Sequence, residues 1–138
     1  MNKNVRYALF ASLYLAQGAI MGYFTSLNAL YLQSYGLGLD RIGLIGSIAM
    51  IPFVLKIFFG LLSDKVSFFQ LGHRKPYILI GLSIQIIGLL VVNFINPATN
   101  FFLFALNAFL LMAGMALYDT CTDGLALDTS IGKKLCLN

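Results

Sequence analysis

Four long apolar runs separated by short polar breaks organise the chain. They extend over residues 7–31, 42–62, 76–94, and from 100 to 118 or further. Each lies near the ~20 residues that a helix needs to cross ~30 Å of hydrocarbon. The breaks have local causes. Gly36 and Gly38 end the first run, and Asp40 is placed to cap the second helix. Pro76 suits the first turn of the third, and the stretch NFINPATN supplies a short turn before the fourth. The pattern predicts an all-α, polytopic membrane protein with four transmembrane helices in a single domain over residues 1–138. The triplet AQG at 16–18 loosely resembles a signal-peptide cleavage site, but the apolar run continues well past it, so the first run is read as a span.

Composition agrees with this pattern. The chain is 59% hydrophobic and only 10% charged, whereas soluble domains carry about a quarter charged residues. The net charge of +4 does not point to nucleic acid, because the nine bases are spread over membrane-flanking segments and form no continuous basic face. They sort by side instead. Lys3, Arg6, Lys65, Arg74, Lys75, Lys133 and Lys134 fall on one side, and Arg41 on the other. The first side is therefore expected to be cytoplasmic, with both termini inside and the cell (inner) membrane as the location. Tryptophan is absent, which leaves Tyr7, Tyr77 and Tyr118 for the inner interfacial belt and Tyr31 and Tyr35 for the outer one. Cys121 and Cys136 fall near the last helix end on the reducing side, and His73 is the only histidine. Neither a disulfide framework, a metal site nor a cofactor is expected.

The stretch FGLLSDKVSFFQLGHRKPYIL, residues 59–79, then stands out as the inner loop between the second and third spans. A positive-inside anchor accounts for Lys65, Arg74 and Lys75. It does not account for Asp64, since acids contribute little to orientation, nor for Gly60 and Gly72. An acid beside several bases can pair within the loop, or meet the positive end of a neighbouring helix, and so hold an inner gate shut.

Gly60, Leu62, Asp64 and Lys65, followed by Gly72, Arg74 and Lys75, resemble the loop between helices two and three of the major facilitator superfamily, with extra residues between the two halves of the motif. Similar stretched loops occur in its folate and biopterin transporters, its muropeptide and acetyl-coenzyme A permeases, and its sugar cation symporters. Lys56 with Pro52 upstream, and Asp119 with Asp123, look most like the first two groups. The resemblance reaches to about Ser130. It implies a secondary transporter of twelve helices in two halves, working by alternating access on a small solute bound near mid-membrane. This chain would be the first third, a partial N-terminal bundle lacking helices five, six and the second half. The tail IGKKLCLN does not resemble the segment after helix four in that family. A fragment is expected, inactive alone, whose partners are the lipid bilayer and the missing helices or a second chain.

Within the spans, Lys56 lies about 9 Å from the inner end of helix two. An unpaired charge at that depth costs on the order of 2–3 kcal/mol. It can snorkel to the interface or find a partner. Asp119 and Asp123, four apart on one helical face, are the candidates. Together they form a candidate ion cluster for coupling a proton or sodium, or for the solute, which the positive Lys56 would incline toward an anion. Helix four must then either continue to about Asp128 or have its acids compensated by a cation. Tyr14 and Gln17 are polar inside an apolar span, as is Asn28, and the resemblance favours the first two as path-lining residues. Gln85 reads as packing, and Gly18 with Gly22 as a GxxxG contact for close helix packing. An enzyme is not expected, because no GxSxG, P-loop or HExxH occurs and the acids at 119 and 123 share one helix. The other reading open at this level is a small four-helix scaffold or regulator acting by association.

Overall fold

A computed structural model describes residues 2–65 and 74–135, the side chains of Asp64 and of residues 130–135 excepted. The elements in chain order are α1 (Lys3–Gly22), a π-helical turn (Tyr23–Leu27), α2 (Asn28–Ser34), α3 (Leu39–Val54), α4 (Lys56–Lys65), α5 (Lys75–Val92) and α6 (Phe101–Leu135). α1, the π turn and α2 form one continuous first span, Lys3–Ser34, and α3 with α4 form the second. All four spans are long and apolar enough to cross a membrane.

Local chemistry sets the ends. The first span stops at Gly36, which takes φ +76°, a backbone region open to glycine at little steric cost. The Gly36 amide then bonds the Gln33 carbonyl and the Leu37 amide bonds Leu32, while the Leu37 and Leu32 side chains are both buried. This is a Schellman stop with its hydrophobic contact. The capping role expected of Asp40 is corrected: Gly38 is the N-cap, and Asp40 sits in the first turn with no side-chain cap bond. There its carboxylate faces the positive end of the helix dipole. Pro52 removes a backbone donor inside α3, and the helix breaks three residues later at Leu55 (φ −77°, ψ 1°) before resuming as α4. Pro76 lies in the first turn of α5. Asn96 accepts the Ala98 amide on its side chain to turn the chain toward α6.

α6 is the central rod. More than half of the apolar stretch of its span is buried, whereas almost none of that of the first span is. Lipid is as apolar as leucine, so helices associate in it through close contact rather than through water exclusion. The closest contact joins α5 and α6. A methyl group built on Gly81 would lie 2.6 Å from the Gly114 carbonyl oxygen, and one built on Gly114 would lie 2.8 Å from the Gly81 oxygen. Further along the seam, the Asn107 amide donates to the Gly88 carbonyl at 3.1 Å. On the other side of α6, Leu32, Ile45 and Ala49 pack with Phe104, Met112 and Met115 in one buried cluster.

Two further expectations are corrected here. Gly18 and Gly22 have nothing within 4 Å of an added methyl group, so their spacing serves no helix contact among the described residues. Tyr77 and Tyr118 are buried in the helix core rather than turned out to an interfacial belt, Tyr118 backing onto Gly81 in the α5–α6 seam. Tyr7 and Tyr35 are exposed near opposite ends of the first span. Leu9 and Phe10 line the same cavity as Lys75, Leu125 and Thr129, so the start of α1, the start of α5 and the end of α6 share one end of the bundle. Arg41 lies near the other end, its guanidinium 5.6 Å from the Phe101 ring centroid.

Candidate functional site

The break at Leu55 makes Lys56 the first residue of α4 and turns its side chain toward α6. Gly60, one turn on, lets α4 come close: a methyl group there would stand 3.1 Å from Thr120. The Lys56 ammonium donates to Asp119 Oδ2 and reaches Asp123 Oδ2 at 3.5 Å. It also lies 5.6 Å from the Phe53 ring centroid, within the range of a cation–π contact. From the first span, the Tyr14 hydroxyl donates to Asp123 Oδ1 at 2.6 Å. Four side chains from three spans thus meet in one polar cluster.

Burial divides the two acids. The Asp119 side chain is 1% exposed and that of Asp123 46%, with Lys56 at 29%. A carboxylate as deeply buried as Asp119 is tolerated only when paired, and Lys56 supplies the pairing. Asp123 keeps an open side and the weaker hold on the ammonium. α6 continues through both residues to Leu135, so neither acid sits at a helix C-terminus. Both conditions considered for these acids therefore hold, a continued helix and a compensating cation.

A second polar contact lies nearer the shared end. Arg74 Nε pairs with Asp128 Oδ2 at 3.2 Å. The guanidinium passes over Gly124, where any side-chain carbon would fall on it. Gly124 is a notch that admits the arginine to the face of α6. Gly124→Ala is expected to push the guanidinium aside and abolish the coupling between Arg74→Gln and Asp128→Asn, read as a double-mutant cycle on unfolding in detergent. Asp128 is 59% exposed, so the loss stays below about 1 kcal/mol. Coupling that persists in the Gly124→Ala background would exclude the notch.

Of the other sequence candidates, Lys65 and Lys75 are exposed at the ends of α4 and α5. The side chain of Asp64 and all of Gly72 lie outside the described residues. Gln17 is half-buried and makes no hydrogen bond to a described residue, so it is not brought into the cluster. Asn28 and Gln85 are buried, and the Asn28 Oδ1 and Gln85 Nε2 atoms have no partner among the described residues. The sequence did not single out Asp128 and Gly124 as site residues. Their four-residue spacing gains meaning only once α6 is known to run past Tyr118.

Comparison with known proteins bears on what this arrangement serves. The model of the BT1 family matches residues 17–135, nearly the whole chain. The chain belongs to the BT1 family. Every residue of the cluster except Tyr14 falls inside the matched region, as do Arg74, Gly124 and Asp128. A BT1 chain with four apolar spans is an integral membrane protein. Among curated proteins, it is 34% identical over 83 residues to the probable folate-biopterin transporter 7 of Arabidopsis thaliana. The alignment covers 59% of this BT1 chain but 18% of the relative, so the match spans less than a fifth of that protein. No solved structure matches it.

Proposed function

We propose that this BT1 chain forms part of a carrier of the major facilitator type, which moves a small solute across the membrane by alternating access. The observation that carries this reading is the cluster of Lys56, Asp119, Asp123 and Tyr14. A charged group inside a bilayer is expensive, and where several converge from different spans they mark a path for ions or solute. The relative named as a folate-biopterin transporter favours a pterin or folate as the solute. Arg74 and Asp128, with Asp64 and Lys65 at the end of α4 and Lys75 at the start of α5, are the proposed inner latch, breaking and re-forming as the bundle rocks. The cluster is the proposed coupling or solute site, with a proton or sodium as the co-transported ion. Both termini are placed in the cytoplasm of a cell whose inner membrane holds the protein.

Four spans supply only part of the wall of such a cavity. Proteoliposomes carrying the 138-residue chain alone are therefore expected to take up neither labelled folate nor biopterin. Proteoliposomes carrying it together with the later helices of a full-length BT1 protein are expected to take up one of them above empty vesicles. Uptake by the chain alone would overturn the incomplete cavity. Failure of the combined assembly would sink the carrier and leave a four-helix scaffold acting by association.

A further inference from the structure

Resting on the carrier reading, we propose that Asp123 reads the 2-amino-4-oxopyrimidine edge of a pterin or folate, while Lys56 stays committed to Asp119 and is not offered to the solute. The charges of the cluster do not cancel. One ammonium faces two carboxylates, so a negative charge is left over, and burial decides where it resides. Asp119 is sealed against Lys56, whereas the Asp123 carboxylate is about half exposed. Taken alone in the sequence, Lys56 would incline the site toward an anion. Seated on Asp119, it leaves a carboxylate as the charged group presented outward.

An ionised carboxylate accepts hydrogen bonds and donates none, and each of its oxygens has two lone-pair sites. Tyr14 fills one site on Asp123 Oδ1, and Lys56 lies at the long distance of 3.5 Å from Oδ2. Acceptor capacity remains on both oxygens. A ligand suited to it presents two parallel N–H donors, the geometry that makes carboxylate pairing bidentate and strong. The ring N3–H and 2-amino group of a pterin are such a pair. The same excess charge repels the glutamate tail of a folate, which must then lie away from α6.

The test is saturation-transfer NMR on the full 138-residue chain in lipid nanodiscs, with three probes. Pterin carries the donor pair, lumazine has a carbonyl in place of the 2-amino group, and p-aminobenzoylglutamate carries the anionic tail alone. Transfer to pterin is expected, with lumazine at least about tenfold weaker, because an acceptor facing a carbonyl is left unpaired. Asp123→Asn should erase this preference and Asp123→Glu retain most of it. The lumazine comparison needs no variant, so a misfolded mutant does not block the test. Equal transfer to pterin and lumazine, transfer to the tail compound in place of pterin, or none to pterin each overturns the assignment. The first two leave the carrier intact, and uptake by the combined assembly tests that separately.

Discussion

Replacing Lys56 with methionine is expected to lower the stability of the bundle by about 3 kcal/mol, the scale found when one partner of a buried ion pair is removed. The reason is the partner left behind. Asp119 is 1% exposed, so solvent does little to stabilise its charge, and Tyr14 bonds Asp123 instead. Asp119→Asn should also destabilise, since it leaves a part-buried ammonium facing an amide. The double variant K56M/D119N should recover at least half of the loss, because neither side then carries an uncompensated charge. Asp123→Asn, on the exposed acid, should change stability by less than about 1 kcal/mol. Denaturant unfolding in detergent, followed by circular dichroism, reads all four. If K56M proves as stable as the parent, Asp119 has another source of compensation and the cluster is not the anchor of the second span.

The second large effect belongs to the α5–α6 seam. Gly81→Ala and Gly114→Ala each place a methyl carbon 2.6 to 2.8 Å from a backbone oxygen of the opposite helix. A backbone oxygen cannot swing aside as a side chain can, so the helices must separate, and each substitution is expected to cost about 1–3 kcal/mol. Gly18→Ala and Gly22→Ala meet open space and should be neutral or stabilising by up to about 1 kcal/mol, through the better helix propensity of alanine. The same unfolding experiment separates the two pairs. Equal effects would mean that the first span packs where the structure shows it open.

The four spans were legible because a bilayer demands a minimum apolar length and little else. The Lys56 cluster was legible for a related reason: a charge deep in an apolar run requires an answer, and two acids four apart on another span can give it. The α5–α6 seam was hidden because Gly81 and Gly114, which meet in it, lie on different helices, and one sequence shows which glycines permit close approach but not which ones meet. Gly18 and Gly22 have the right spacing within one helix and no partner across from it among the described residues. Tyr77 and Tyr118 misled for another reason. A tyrosine suits an interface or a seam equally well, and distance along the run says little about which way a helix faces. The Arg74 contact depended on the length of α6, which no residue near Tyr118 announces, since Asp119 to Asp123 contains neither proline nor glycine.

The π turn at Tyr23–Leu27 acts as an index mark on the first span. One surplus residue is stored there, without a proline or glycine inside it to betray it. On an α-helix each residue advances the winding by about 100°. Its presence decouples the azimuth of α1 from that of α2, so that Leu32 can lock into the buried core while Tyr14 points at Asp123. Smoothing the bulge into regular helix would rotate one half against the other and aim the phenol elsewhere.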